Sequence, residues 1–560
     1  MRHFASKLTL TALTLATSLS AAACSSGREP APSETSSSSL PSVGRSRQAF
    51  TSAEATLVDF EWDGQVITDW SGGAPDAIGA QVLYTVGSLN DMDSVGQLEK
   101  LVTTNVVTTP QPDGRYLVTY HAKLPVAWNL GHPRPSTFTF TLPRVGIWNS
   151  LVGFAQTYGT SCVDPSAHDV NAGSLWYYYR PRTWSCSFAP NDVVDVTAQV
   201  TVSSANTTGK YPEYHRVWQD DVLDAVVVFG KYEEGTTTSA DVGIDGYGRF
   251  AEHVRTKLAG LGTVTTVPAN APSRPSADFP DVTIEATLPY AKKVRVHMLL
   301  VDNVTTQGPA FDARFAQLTP EADLVLYSGH AGLGTNVRSL LGKGSYTAGH
   351  HLLFFMNGCD TFAYVDGRLR ETRAALNPDD PGGTKYLDMV TNAMPSYADA
   401  FSSEPVLLDA LIDYTRPRTY QSIFADIDFR QVVVVTGEED NEFTPGMPVG
   451  SVQPPPSSGD DAGTPPSTGN DAGTPSEDGG TPPPSSSGPT PPGSSAPPGS
   501  SAAPSSSATP STPSASDASD PGCACTTAPG APSNDGTAPL ASFAVAAAAA
   551  LVVARRRRAG

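Results

Sequence analysis

The first part of the chain alternates apolar and polar residues over short segments, with Gly, Pro and Asp between them. This alternation is typical of β-strands that bury one face, and residues at helical spacing are nearly absent. We therefore predict a β-rich domain over 47–215, with the antiparallel, sandwich-like arrangement that such segments favour. The segments include 55–60, 80–84, 116–121, 136–142 and 193–202.

The pattern changes after residue 218, where continuous apolar runs replace the alternation. Such runs suit strands that are covered on both faces. Segments with apolar residues at helical spacing separate them, and strands alternating with helices predict a largely parallel sheet with helices on both faces over 220–445. The predicted strands are 223–229, 294–301, 324–327, 352–356 and 432–435, and the predicted helices are 246–261, 311–318, 386–394 and 397–412.

Two of these buried runs stop at a glycine and then present a reactive side chain. The run DLVLYSG ends at His330, and the run LLFFMNG ends at Cys359. Ligands gather at the carboxyl ends of the strands in sheets of this kind. We expect the thiol and the imidazole to share one rim, which is what nucleophilic catalysis by cysteine requires.

A thiol with a pKa of ~8.5 is mostly protonated at neutral pH, so it needs the adjacent base. The thiolate would attack a carbonyl carbon, and the oxyanion would need backbone donors. The NH groups of Cys359 and of Ala331 or Gly332 are the candidates. His330 would then protonate the leaving amine.

The sequence contains six cysteines, at Cys24, Cys162, Cys186, Cys359, Cys523 and Cys525. Three of them fall in terminal targeting segments. In an oxidising compartment Cys162 and Cys186 should form a disulfide bond. Cys359 is left over, and a leftover cysteine in an exported protein is either a buried structural thiol or a reactive one.

The first 24 residues have the pattern of an export signal, with a basic start, an apolar stretch over 8–19 and small residues before Cys24. The cysteine after the small residues resembles a bacterial lipoprotein signal, which implies lipidation of Cys24. A plain signal peptide is the alternative. Residues 25–46 are predicted to be a disordered linker.

The other end begins with a linker over 446–521 that is rich in Pro, Ser and Gly and has too few apolar residues to fold. Residues 522–560 contain Cys523 and Cys525, an apolar stretch and four arginines. This tail resembles the MYXO-CTERM sorting tail of myxobacterial surface proteins. The resemblance implies cleavage near the cysteines and display on the cell surface, and a simple C-terminal anchor is the alternative. We expect an exported, lipid-anchored protein at the outer membrane or cell surface, held to the membrane by its ends.

The net charge of −20, from 36 basic and 56 acidic residues, argues against nucleic acid as a partner. No pattern of metal ligands is recognisable. His168 lacks a second ligand at a useful spacing, and the pair at 350–351 is expected at the sheet rim. We predict no cofactor, with calcium at Glu438, Glu439 and Asp440 as a minor alternative.

The Tyr-Ser-Gly-His run at 327–330 and the Phe-Met-Asn-Gly-Cys run at 355–359 resemble the histidine and cysteine blocks of the caspase, gingipain and legumain superfamily, the clan CD cysteine peptidases. The resemblance covers about 220–442. It implies a caspase-like α/β fold, with Cys359 as nucleophile and His330 as proton shuttle. Ala331 departs from the pattern, since the family usually has Gly there and the methyl group would crowd a substrate.

These features predict a cell-surface cysteine endopeptidase that hydrolyses peptide bonds in a peptide or protein substrate. Asp302 and Asp360 are candidates for a specificity pocket, with turn or capping roles as alternatives. Two other functions stay open. One is a non-catalytic surface binding protein on a degenerate peptidase scaffold, whose aromatic run at 175–181 would bind a polymer. The other is a thiol acyl transferase.

Overall fold

The computed structural model describes residues 55–396 and 403–451, which form a mixed α/β structure with two sheets. The export signal with Cys24, the first linker, nearly all of the second linker and the tail with Cys523 and Cys525 lie outside the described residues. Within the described ranges, no helix is long and apolar enough to cross a membrane.

In chain order the strands are β1 (Ala55–Thr68), β2 (Val95–Gly96), β3 (Val102–Pro110), β4 (Tyr116–Asn129), β5 (Thr137–Pro143), β6 (Val193–Val202), β7 (Val222–Gly230), β8 (Thr263–Val267), β9 (Asp281–Thr287), β10 (Lys293–Val301), β11 (Leu324–Ser328), β12 (Leu352–Asn357), β13 (Leu387–Asn392) and β14 (Val433–Thr436). The α-helices are α1 (Ala74–Val82), α2 (Tyr84–Asn90), α3 (Trp148–Tyr158), α4 (Leu175–Tyr178), α5 (Tyr214–Val217), α6 (Val242–Ala259), α7 (Pro309–Leu318), α8 (Thr335–Leu341), α9 (Thr361–Tyr364), α10 (Arg368–Leu376), α11 (Glu404–Ile412) and α12 (Tyr420–Phe424). Short 3₁₀ turns lie at Leu98–Lys100, Pro289–Ala291, Thr319–Glu321, Gly332–Gly334 and Glu438–Asp440.

The first sheet is a curled antiparallel sheet of six strands in the order β2-β4-β1-β6-β5, with β3 on β4. Strands β1 and β4 pair along 14 residues each, from Ala55 opposite Asn129 to Thr68 opposite Tyr116. Their alternating side chains are buried on one face only, as the sequence pattern predicted. Within 55–202 the strands form this one sheet, so the predicted sandwich of two facing sheets is wrong.

The prediction of a strand at 80–84 is also wrong, because α1 and α2 occupy 74–90. The buried residues of α1 do follow helical spacing, but one of them is the polar Gln81. Gln81 accepts a hydrogen bond from Tyr120 and donates to backbone carbonyl oxygens at Gln65 and Pro143. Because a polar residue interrupts the apolar positions on the core face of α1, the helical spacing of these positions could not be recognised in the sequence.

The second sheet has eight strands in the order β14-β13-β12-β11-β7-β10-β9-β8. Its central strands β10, β7, β11, β12 and β13 are parallel, and β9, β8 and β14 add antiparallel pairs at the two edges. The sheet is therefore mixed and mainly parallel, with every residue of β12 buried.

Segment 386–394 was predicted to be helical, and this is wrong because it contains β13. The polar residue that disguises this strand is Asp388, which is buried and accepts hydrogen bonds from Tyr420 and Asn441. Of the helix predicted over 397–412, the described part begins at Glu404, and 397–402 lie outside the described residues.

The two sheets share one continuous apolar core. A single cluster of buried residues contains side chains of the first sheet, such as Phe60, together with Val226 and Tyr327 of the second sheet. The rings of Trp176 and Tyr364 meet across this junction with centroids 6.3 Å apart. The opposite face of the second sheet packs on α6 and α11 in a separate cluster.

Cys162 and Cys186 form the predicted disulfide bond, with Cα atoms 4.6 Å apart. The aromatic run inside this loop folds as α4 and is buried, with Trp176 only 7 % exposed. The interpretation of this run as an exposed binding face is therefore wrong. Its backbone carbonyls accept hydrogen bonds from the buried guanidinium of Arg180, which also forms ion pairs with Asp91 and Asp164.

Candidate functional site

His330 and Cys359 follow neighbouring parallel strands and leave the sheet at the same edge. In the register of β11 and β12, Ser328 lies opposite Asn357. Each of the two strands is then followed by one glycine and by the candidate reactive residue. A Cβ atom added to Gly358 would lie 2.7 Å from the carbonyl oxygen of Gly329. The histidine loop and the cysteine loop are thus in direct contact, and only glycine fits at 358.

The ring of His330 is held by a backbone carbonyl. Its Nε2 lies 2.9 Å from the carbonyl oxygen of Tyr232, and the two rings are 4.9 Å apart. A carbonyl can only accept, so Nε2 carries the proton and a neutral ring keeps its lone pair on Nδ1. That Nδ1 is buried and has no hydrogen-bond partner among the described residues. The geometry therefore leaves the ring able to act as a base through Nδ1.

Cys359 is a thiol, not a disulfide, and it is 0 % exposed. Its Sγ lies 3.8 Å from the carbonyl oxygen of Ser396, a distance that allows a weak S–H hydrogen bond. The side chain belongs to the apolar cluster shared by the two sheets. A substrate cannot reach the sulfur in this arrangement.

A cleft opens beside His330 at the same edge of the sheet, and it encloses about 490 Å³ including open solvent at its mouth. Its walls come from the ends of β7, β11 and β12 and from the first turns of α6 and α11. Cys359 is not among the residues that line it, but Ser396 is, and Ser396 also contacts the cysteine sulfur through its carbonyl oxygen. The lining residues are Phe229, Gly230, Lys231, Tyr232, Val242, Gly243, Gly246, Ser328, Gly329, His330, Asn357, Ser396 and Glu404.

Glu404, the first residue of α11, is the acidic group among the described residues that line the cleft, and it is 7 % exposed. Its Oε1 accepts hydrogen bonds from Ser328 Oγ at 2.8 Å and from Asn357 Nδ2 at 3.2 Å. Its Oε2 is buried without a partner among the described residues. Burial raises the pKa of Glu404 to about 7, against the opposing effect of these hydrogen bonds.

The two candidate oxyanion donors besides Cys359 lie directly after His330. Ala331 is 1 % exposed, and its methyl group belongs to the apolar core cluster, not to the lining of the cleft. Its φ of −72° needs no glycine. Gly332 has a φ of +58°, which favours glycine, and it starts the 3₁₀ turn beside the rim. The alanine at 331 therefore does not narrow the cleft.

The candidate specificity residues Asp302 and Asp360 lie in different places. Asp302 forms an ion pair of 2.8 Å with Lys231, which lines the cleft, and it accepts a hydrogen bond from the NH of Gly235. Asp360 is fully buried and accepts a hydrogen bond from Asn90 Nδ2 at 3.0 Å. Burial raises the pKa of Asp360 to about 7. The structure therefore places Asp360 at the junction with the first sheet and not in the cleft.

The described residues contain no group of three or more His, Cys, Asp or Glu side chains that could hold a metal ion. Glu438 is buried and accepts a hydrogen bond from Thr207, and Asp440 accepts one from Thr384. His168 lies beside Asp169 and Tyr178. His350 lies beside Asp323, and His351, expected at a rim, is fully buried.

Three residues of the site escaped the sequence reasoning: Tyr232, Ser396 and Glu404. Tyr232 follows the carboxyl end of β7, so the same strand-end argument that found His330 could have found it. Glu404 precedes a proline at the start of a helix and reads as an ordinary helix terminus. Ser396 follows β13, which was predicted as a helix.

No protein-family model matches this chain, and neither a curated protein nor a solved structure matches it.

Proposed function

We propose that this protein is a cysteine peptidase in which Cys359 is the nucleophile and His330 moves the proton. The observation that carries the proposal is the carbonyl of Tyr232, which holds His330 Nε2 at the edge where both reactive residues leave adjacent strands. The proposal requires His330 Nδ1 to come within reach of the Cys359 sulfur, because a base fixed in one tautomer close to a thiol can activate a cysteine nucleophile. We further propose that the eight-stranded sheet is a caspase-like domain, as the two sequence blocks suggest.

The reaction would run in two stages. His330 Nδ1 accepts the proton of the thiol, and the thiolate attacks the carbonyl carbon of the scissile peptide bond. The backbone NH of Cys359 and that of Ala331 or Gly332 stabilise the oxyanion. The imidazolium then protonates the leaving amine, and the acyl group stays on the sulfur as a thioester. A water molecule, deprotonated by His330, hydrolyses the thioester and returns the thiol.

The buried thiol sets one requirement for this chemistry. Because Cys359 is 0 % exposed, the side chains and backbone that cover its sulfur must move before a peptide can reach it. The proposal therefore includes an exposure of Cys359 during each catalytic cycle or on activation.

We also propose that the protein works outside the cytoplasm, lipid-anchored at the outer membrane or cell surface. The disulfide bond between Cys162 and Cys186 supports this location, because such bonds persist in oxidising compartments. The terminal segments that would anchor the chain support it through their sequence patterns.

A peptide library tests the enzymatic proposal. The wild-type protein should cleave peptides, and Cys359→Ala and His330→Ala should not. His121→Ala is the matched control, since His121 lies on β4 in the first sheet, where it pairs with Asp63. Absence of cleavage by the wild-type protein in a broad library, together with a Cys359 that resists iodoacetamide at neutral pH, would refute the proposal.

The complete burial of Cys359 favours a second candidate function, a non-catalytic binding protein on a degenerate peptidase scaffold. In that case the cleft would bind peptides and never open to the sulfur. Peptide binding by the wild-type protein that persists unchanged in Cys359→Ala, without any cleavage product in mass spectra, would favour this alternative.

A further inference from the structure

The side chain that directly follows Cys359 is held by the part of the chain that forms the first sheet. Asp360 is fully buried, and its Oδ2 accepts a hydrogen bond of 3.0 Å from Nδ2 of Asn90. Asn90 is the last residue of α2 and lies 270 positions away in the sequence. The short helix α9, which begins at Thr361, packs against β2 and against the 3₁₀ turn at Leu98–Lys100. The loop that carries the candidate nucleophile is therefore in contact with the first part of the molecule.

The backbone at Asp360 is strained. Its φ of +52° lies in the left-handed region, which is unfavourable for a residue other than glycine and persists only where the surroundings fix it. The NH of Asp360 donates to the carbonyl oxygen of Met394, and its carboxyl group is held by Asn90. The position of the neighbouring Cys359 thus depends on how firmly Asp360 is held.

The contact between Asn90 and Asp360 is incomplete. Oδ1 of Asn90 and Oδ1 of Asp360 are both buried, and neither has a hydrogen-bond partner among the described residues. Two such oxygens cannot satisfy each other while the carboxyl group is ionised, because a carboxylate only accepts. A protonated carboxyl group could donate its O–H to Asn90 Oδ1 while its other oxygen still accepts from Asn90 Nδ2. One proton would then satisfy both oxygens and form an acid–amide pair with two hydrogen bonds.

We propose that Asn90 and Asp360 are positioning residues for Cys359, and that their acid–amide pair holds the loop after β12 in the closed arrangement that covers the sulfur. Loss of the proton removes one of the two hydrogen bonds and leaves two buried oxygens unsatisfied, which favours release of the loop. The inference rests on the proposed peptidase function, because it identifies what controls access to the nucleophile of that same site.

The surroundings of Asp360 favour the protonated form. Burial raises the pKa of Asp360 to about 7, against the opposing effects of the hydrogen bond from Asn90 and of the charge of Arg180. Arg180 is itself paired with two carboxylates, and Asp93 repels a charge on Asp360. On the described elements that pack against α9 or hold Asp360, the other charged or titratable side chains are Tyr84 of α2, Glu99 and Lys100 of the 3₁₀ turn, Arg338 of α8 and Asp388 of β13.

The raised pKa gives the direction of the pH dependence. In a released, exposed loop the pKa of Asp360 should return to about 4. The stability that the proton gives to the closed arrangement is therefore fully present below about pH 4 and is lost as the pH rises to about 7. Release of the loop, and with it exposure of Cys359, should increase over that range.

Alkylation of Cys359 measures release of the loop without any turnover. The full-length protein is treated with iodoacetamide at several pH values, and mass spectrometry of the peptide that contains Cys359 gives the rate at this residue. Asp360→Asn is the comparison, because its amide can donate to Asn90 Oδ1 and accept from Nδ2, so that both hydrogen bonds are kept at every pH. The ratio of the wild-type rate to the variant rate removes most of the effect of pH on the thiol itself. This ratio should increase by about tenfold or more between about pH 5 and about pH 8.

Further variants test the pair itself. The double substitution Asn90→Asp with Asp360→Asn exchanges the acid and the amide, so the pH-dependent release should return. Asn90→Ala removes both hydrogen bonds and should make Cys359 react faster than in the wild type at about pH 5; it tests the same contact if Asp360→Asn does not fold. Glu438→Gln is the matched control, since Glu438 is also buried, has an oxygen without a partner among the described residues and has a pKa raised to about 7, but accepts its hydrogen bond from Thr207. This control should keep the wild-type pH dependence.

The results separate this inference from the proposed function. A ratio that stays constant between about pH 5 and about pH 8, or a double variant that behaves like Asp360→Asn, overturns the inference, and peptide cleavage by the same wild-type protein would leave the peptidase proposal standing. A Cys359 that is not alkylated at any pH also overturns the inference. Alkylation that the pair controls, in a wild-type protein that cleaves no peptide of a broad library, supports the positioning role and overturns the peptidase function.

Discussion

Substitution of Cys359 by alanine or serine separates the role of this residue in core packing from its proposed role as the nucleophile. The side chain is completely buried in the apolar core, so Cys359→Ala removes one well-packed sulfur atom. Deleting a buried group of about methyl size costs about 1 kcal/mol of unfolding free energy. In a protein of this length, that loss lowers the midpoint of thermal unfolding by about 2 °C or less.

The rate of peptide cleavage should fall far more than the stability does. Removing the nucleophile should lower turnover by about a thousandfold or more, far beyond any effect of so small a loss of stability. Cys359→Ser is the companion variant: its hydroxyl fits the same space, but the carbonyl oxygen of Ser396, 3.8 Å from the sulfur, is too far away to accept a hydrogen bond from it. It should lose about 1–3 kcal/mol of unfolding free energy, because a buried hydroxyl is left without that partner, and it should also be inactive, since a serine hydroxyl is much harder to deprotonate.

The assay combines urea unfolding, followed by the fluorescence of the seven tryptophans, with peptide cleavage by the same preparations. Peptide cleavage at the wild-type rate by either variant would refute the assignment of Cys359 as nucleophile. A loss of more than about 3 kcal/mol in Cys359→Ala would instead show that the residue is mainly a packing element.

Other variants test the rest of the reasoning. His330→Gln can still donate to the carbonyl of Tyr232 but is not a base, so cleavage should fall by about a hundredfold or more, with an unfolding free energy close to wild type in urea titrations. Burial raises the pKa of Asp388 to about 8, so the stability that comes from its protonated carboxyl is fully present below about pH 4 and is lost as the pH rises toward about 8. Asp388→Asn removes this titration and should therefore flatten the pH dependence of the unfolding free energy. The variant should gain up to about 4 kcal/mol at neutral pH, and an unchanged slope of the urea midpoint against pH would contradict this. Trp176→Ala should cost about 3–5 kcal/mol in calorimetry, because the ring packs against Tyr364 at the junction of the sheets; a stable variant would show that this contact is dispensable.

The edge of the sheet at which His330 and Cys359 lie could be predicted from the sequence, because the carboxyl ends of parallel strands meet at the same edge. Apolar runs that end at a glycine mark strand ends, and the register of β11 and β12 brings the residues that follow them together. The disulfide bond could also be predicted, since the chain offers few cysteines to pair.

The rest of the site depends on contacts between distant segments. Glu404 meets Ser328 across 76 positions of sequence, and no local pattern marks that pairing. Polar residues in the interior caused the errors in the fold. Gln81 and Asp388 are buried because other parts of the chain provide their hydrogen-bond partners, and those partners cannot be recognised from one segment.

The continuous core beneath both sheets has a consequence for how this protein can change over evolutionary time. Side chains from 55–202 and from 222–436 fill a single cluster, so neither part has a finished surface of its own. Separating them at the connection over 203–221 would expose apolar area that makes each fragment prone to aggregate. We therefore expect that the edge of the sheet with His330 and Cys359 folds only together with the segment that bears the disulfide bond, and that the two parts are inherited as one unit.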